Sequence, residues 1–156
     1  MARTVEVTHR IRINAPIDAV KSQFADLYHH IDTNVHPKLK FDVLAQEPQR
    51  ARFTQEVKLL GIRQRDLFER TIEDDGSIHD VSVQGFNKGG SLDFHFHPVA
   101  GEPGTEVDIT IKLPVPPLMG WLAPLLESQV RREVTAAALE DKFDLEQRGY
   151  RPRARA

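Results

Sequence analysis

Apolar and polar residues alternate strictly over residues 4–13: Val5, Val7, His9, Ile11 and Ile13 share one face, and Thr4, Glu6, Thr8, Arg10 and Arg12 share the other. A period of two over this length predicts a half-buried strand. Asn14-Ala15-Pro16 stops it. Pro16 suits the first turn of a helix, where its missing N–H leaves no bond unmade. Ile17, Val20, Phe24 and Leu27 then recur at helical spacing, predicting a short helix that ends near Tyr28. Residues 29–40 are irregular, with room for one more helical turn.

Strands fill the middle of the chain. Alternating segments at 41–44, 51–58, 62–72, 78–86, 92–97 and 107–113 are separated by turn signals such as Glu47-Pro48-Gln49, Asp74-Asp75-Gly76 and Asn87-Lys88-Gly89-Gly90. Short connections make neighbours pair antiparallel, seven strands in all with the first. After a proline-bearing stretch, a long helix is predicted from about 118 to 148, with Gly149 as its cap and Pro152 beyond. On a helical wheel Leu118, Leu122, Leu125, Leu126, Val130, Ala136, Ala137 and Phe143 form its apolar arc, with Gln129 and Glu133 inside that arc.

A curved sheet with one apolar face must cover that face, and the long helix is the element large enough to do so. The fold expected is α+β, with a seven-stranded antiparallel sheet, two short helices and a covering C-terminal helix. A strongly curved sheet and a straight helix cannot touch everywhere, so an internal cavity follows. Strand parity points Phe53, Gln55, Gln64, Asp66 and Phe68 inward. Phe94, Phe96 and Ile109 extend the apolar wall, while Leu122, Leu126, Gln129 and Glu133 face it from the helix. Such a lining suits a small hydrophobic or amphipathic ligand oriented by a few polar groups. A buried, desolvated Glu133 or Asp66 is the candidate catalytic acid or base.

The opening Ile11-Arg12-Ile13-Asn14-Ala15-Pro16-Ile17-Asp18-Ala19-Val20 and the later Phe24-Ala25-Asp26, with the order of elements, resemble the START/SRPBCC superfamily. These are the Bet v 1-like and polyketide cyclase/dehydrase-like proteins. The resemblance spans residues 1–150 as one domain and implies a helix-grip fold. It implies binding or transport of a lipid, polyketide, isoprenoid or aromatic compound, or else a cyclase or dehydratase. Many members carry a tryptophan in or just after the first helix; here Phe24 and Tyr28 stand there, and the single tryptophan is Trp121.

The segment Tyr28-His29-His30-Ile31-Asp32-Thr33-Asn34-Val35-His36 is rich in histidine. Two histidines and a carboxylate make an iron or zinc site, so His29, His30 and His36 with Glu133 form an alternative metal-dependent centre. The resemblance extends to the catalytic domain of Rieske-type oxygenases, whose motif resembles Asp-x-x-His-x4-His with a late-helix carboxylate. Asp26-x-x-His29 matches its first half, but position 34 is Asn34, and His36 comes two residues later. His95 and His97 oppose Phe94 and Phe96 and belong on the outer face.

Composition narrows the rest. The chain of 156 residues has no cysteine, which excludes disulfides, thiolate metal sites and an iron–sulfur centre. A net charge of −2 argues against a nucleic-acid partner. No apolar run reaches the ~20 residues of a membrane span, and the first residues lack a secretory signal's apolar core. The expectation is a cytoplasmic protein with no resident cofactor, iron or zinc being the alternative, and a basic, flexible tail at residues 151–156.

Overall fold

The computed structural model of the chain describes residues 3–151. Strand β1 (Arg3–Ile13) leads to α1 (Ile17–Ala25) and α2 (Leu27–Asp32). Strands β2 (Lys40–Gln46), β3 (Arg50–Leu59), β4 (Ile62–Ile72), β5 (Ile78–Gly85), β6 (Ser91–Pro98) and β7 (Thr105–Val115) follow. A 3-10 turn at Pro117–Leu122 precedes α3 (Ala123–Glu146). The seven strands form one antiparallel sheet in the order β1-β7-β6-β5-β4-β3-β2. The alternation predicts the antiparallel strands, and the whole is the helix-grip architecture that the resemblance implies. Most of the tail, residues 152–156, lies outside the described residues.

Curvature comes from local irregularities. Bulges interrupt the β2–β3 register at Val43/Ala45 and the β4–β5 register at Leu67/Phe68, and each bulge adds twist. Gly85 ends β5 at φ +126°, where a Cβ would collide with the Arg65 carbonyl oxygen, so no other residue fits this crossing.

The two short helices meet at Asp26, earlier than the break expected near Tyr28. Asp26 leaves helical geometry at φ −87°, ψ 82° and caps α2 by accepting the His29 N–H at 3.0 Å. Its other carboxylate oxygen accepts the Tyr150 hydroxyl at 2.8 Å. That kink turns the histidines of α2 toward α3. Phe24 anchors α1 on the sheet, with ring centroids 5.7 Å from Phe94 and 5.5 Å from Phe96.

The covering helix starts later than predicted and rolls to a different face. Pro124 sits in its first turn, and the apolar residues before it adopt the tighter 3-10 geometry. A wheel that counts Leu118 and Leu122 as α-helical is therefore out of phase. Leu118, Leu125 and Phe143 are exposed, while Val130, Val134, Ala138, Asp141 and Leu145 are buried. Those five recur at spacings of three and four, and that line faces the sheet. The core divides into a main cluster under α1 and α3 and a smaller one of Leu27, Ala51, Phe53 and Phe68.

Candidate functional site

Between the two clusters lies a cavity of about 180 Å³, walled by the sheet, α3 and the segment that follows α2. Six of the residues expected to line it do so: Gln55, Asp66, Phe68, Phe94, Ile109 and Glu133. The other six sit elsewhere. Phe53 is buried beneath, stacked on Phe68 at 5.5 Å. Gln64 accepts from Asn87 at 2.9 Å, and Gln129 accepts the Leu60 N–H at 2.6 Å, tying the β3–β4 turn to α3. Phe96 packs on Phe24, Leu126 packs against the main cluster and Leu122 belongs to the 3-10 turn.

The two candidate catalytic carboxylates have quite different surroundings. Asp66 is fully engaged: Ser82 Oγ donates at 2.8 Å, the Asn87 N–H at 2.7 Å and Asn87 Nδ2 at 3.0 Å. Glu133 is partly exposed and lies 3.9 Å from Lys38 Nζ. Both positions line the cavity.

The histidines assemble around different carboxylates from the one expected. His30 Nε2 lies 3.0 Å and His36 Nε2 3.3 Å from Asp141 Oδ1. His36 Nδ1 lies 3.1 Å from Glu140 Oε1, and His29 Nε2 lies 2.7 Å from Asp144 Oδ2. The buried Gln23 Nε2 donates to both Asp141 and Asp144 at 3.0 Å. The expected set of His29, His30, His36 and Glu133 thus separates. His30 and His36 join Asp141, His29 joins Asp144, and Glu133 faces Lys38. His30, His36 and Asp141 are all buried, and one ligand atom from each lies within 4.8 Å of the others. All three also line the cavity.

Charge holds this cluster. Burial alone would push the His36 imidazole down, but the Asp141 charge and the hydrogen bonds to Asp141 and Glu140 outweigh it and carry it up to about 9. Burial would likewise push the Asp141 carboxyl up. The two histidines reverse this and hold it well below the usual carboxylate range.

A second polar group in the wall was missed from sequence altogether. Arg70 and Asp80 form a buried ion pair across β4 and β5, and both line the cavity. The signal was present: Arg70 shares the inward parity of Gln64, Asp66 and Phe68. His95 and His97 are exposed on β6, as expected. His97 meets Asp108, and His95 meets Ser77.

Residues 4–141 match the family described as polyketide cyclase/dehydrase and lipid transport. No curated protein matches the chain. Among solved structures, one from Thermus thermophilus superposes with a TM-score of 0.81 at 21% identity, covering 93% of this chain and 99% of that one. The Zhui aromatase/cyclase from Streptomyces sp. R1128 gives a TM-score of 0.75 at 16% identity, covering 94% and 99%. A START superfamily protein from Mycobacterium smegmatis gives 0.72 at 16%, covering 90% and 97%. At these identities the likeness is one of fold. Among the described residues no helix is long and apolar enough to cross a membrane.

Proposed function

The chain belongs to the polyketide cyclase/dehydrase and lipid transport family, and from that premise we propose that it binds a small hydrophobic or amphipathic molecule in the cavity under α3. The observation that carries this reading is the cavity itself: apolar walls from Phe94, Ile109, Ile111 and Val134, with a few buried polar groups among them. Such an arrangement rewards a guest that removes apolar surface from water while offering one or two polar atoms. Size narrows the class. The cavity volume of about 180 Å³ is slightly above the ~150 Å³ of an engineered cavity that takes up benzene. It is below the ~300 Å³ at which drug-sized pockets begin. The guest is therefore a compound of one or two rings, or the end of a longer chain whose remainder leaves the cavity.

A cyclase- or dehydratase-type reaction is the second reading. It is favoured by the buried His30 and His36 in the cavity wall, imidazoles able to exchange a proton with an enclosed substrate while Asp141 holds their orientation.

An NMR titration of the full chain with 2-naphthol tests the binding reading. Saturable amide shifts centred on Phe94, Ile109 and Val134 are expected. Shifts confined to outer-face residues, or none up to the solubility limit, would overturn it.

A further inference from the structure

His30 and His36 aim the same ring nitrogen at one carboxylate oxygen, and the donors and acceptors there do not balance. His30 Nδ1 lies 2.8 Å from the Asp26 carbonyl oxygen, which can only accept, so Nδ1 carries the proton. In the neutral ring Nε2 is then a bare acceptor, yet it faces Asp141 Oδ1, another acceptor, at 3.0 Å. His36 repeats the arrangement, with Nδ1 at 3.1 Å from Glu140 Oε1 and Nε2 at 3.3 Å from the same Oδ1. Gln23 Nε2 also donates to that oxygen at 3.0 Å. A carboxylate oxygen offers about two lone-pair sites, so three donors overfill Asp141 Oδ1. Balancing the network with protons alone makes His30 an imidazolium and sets its Nε2–H, an Nε2–H from His36 and the Gln23 amide all on that one oxygen, with the two rings' centroids 5.2 Å apart. One cation between the three groups satisfies all of them and frees both Nε2 protons.

The geometry points to a three-ligand site for a divalent transition metal formed by His30 Nε2, His36 Nε2 and the Asp141 carboxylate, and we propose it as such. The nitrogen-to-oxygen separations of 3.0 and 3.3 Å match the edges of a coordination polyhedron with metal–ligand bonds of about 2.0–2.2 Å. The outer nitrogen of each histidine is already held, by the Asp26 carbonyl and by Glu140. Such contacts fix ring orientation and tautomer at metal sites. Two imidazoles and one carboxylate favour zinc or iron(II) over magnesium or calcium. The three ligands also line the cavity, so a fourth position would open toward a guest. His29 and Glu133 are not ligands in this set. Glu133 faces Lys38, and His29 is engaged by Asp144.

Titration of metal-stripped full-length protein with zinc chloride at neutral pH, followed by calorimetry, tests the site without any organic ligand. One zinc per chain is expected, with a raised Tm, and binding weakened at least about 100-fold by Asp141→Asn and by His36→Gln. His95→Gln on the outer face should bind as wild type. Cobalt(II) added to the wild-type chain guards against variants that fail to fold. A visible absorption band at one equivalent, lost on adding zinc, is expected. Absence of stoichiometric zinc or cobalt binding by the wild-type chain would overturn the site, as would binding that survives both substitutions. Zinc binding in a protein that ignores 2-naphthol would overturn the cavity reading alone, and the converse would overturn only the metal site.

Discussion

Arg70 and Asp80 face each other across β4 and β5 in a buried two-pronged ion pair, Nε 2.7 Å from Oδ1 and Nη2 2.8 Å from Oδ2. Arg70 also donates Nη1 to the Phe24 carbonyl at 3.3 Å and lies over the Phe53 ring at 5.1 Å. The pair therefore ties the sheet to the end of α1. It places two charges in a largely apolar wall, each satisfied by the other. Removing one partner leaves a buried charge without compensation. Asp80→Asn should cost about 3–5 kcal/mol in urea unfolding. The double change Arg70→Met with Asp80→Leu should recover most of that loss. Equal losses in the single and double variants would mean that packing, not charge, dominates here.

Much of the fold was legible because the signals were local. Alternation in β1 and the Asp74-Asp75-Gly76 turn between β4 and β5 each follow from a few adjacent residues. The inward parity of Gln55 and Asp66 was legible in the same way. The histidine cluster was only half visible. His30 and His36 stood out by spacing, but their partner did not, because an apolar wheel counts Asp141 as a surface residue. Its position on the buried line with Val134, Ala138 and Leu145 was hidden by Leu118, Leu125 and Phe143. These large apolar residues face solvent and drew the predicted arc away. The kink at Asp26 was equally hidden, since it depends on a bond from Tyr150, 124 residues away.

The seating of α3 on β1 depends on pH through Glu146. Its carboxylate accepts the Asn14 N–H at 3.2 Å and sits 2.8 Å from Lys142 Nζ. Burial would push its carboxyl up, but the Lys142 and Asn14 bonds outweigh this and hold it below its ordinary value of 4.5. A carboxyl depressed in the folded state adds stability above its unfolded pKa and loses it as pH falls through the folded one. Glu146→Gln should therefore lower Tm at neutral pH, and the gap from wild type should close in acid, below the ordinary 4.5. A gap that stays constant across this range would deny Glu146 its electrostatic role.

Glu133 tells against a structural role for its charge. It lies 3.9 Å from Lys38, and the two side chains are 32% and 67% exposed. Screened pairs of this kind contribute about 0–1 kcal/mol. Glu133→Gln should lower the urea unfolding free energy by an amount within that range. A loss above ~2 kcal/mol would place Glu133 in a buried network that its exposure does not suggest.

The hollow beneath α3 carries the functional account, and filling it is the most direct test. Ala137 is half-buried on α3 and lines the cavity of about 180 Å³. Binding of 2-naphthol to wild-type protein and to Ala137→Phe, with the Tm of each recorded, sets guest against side chain in the same space. The account predicts a Tm within a few degrees of wild type and an affinity at least about tenfold weaker, some 1.4 kcal/mol. Equal affinity in the two proteins would show that the guest binds elsewhere and would contradict it.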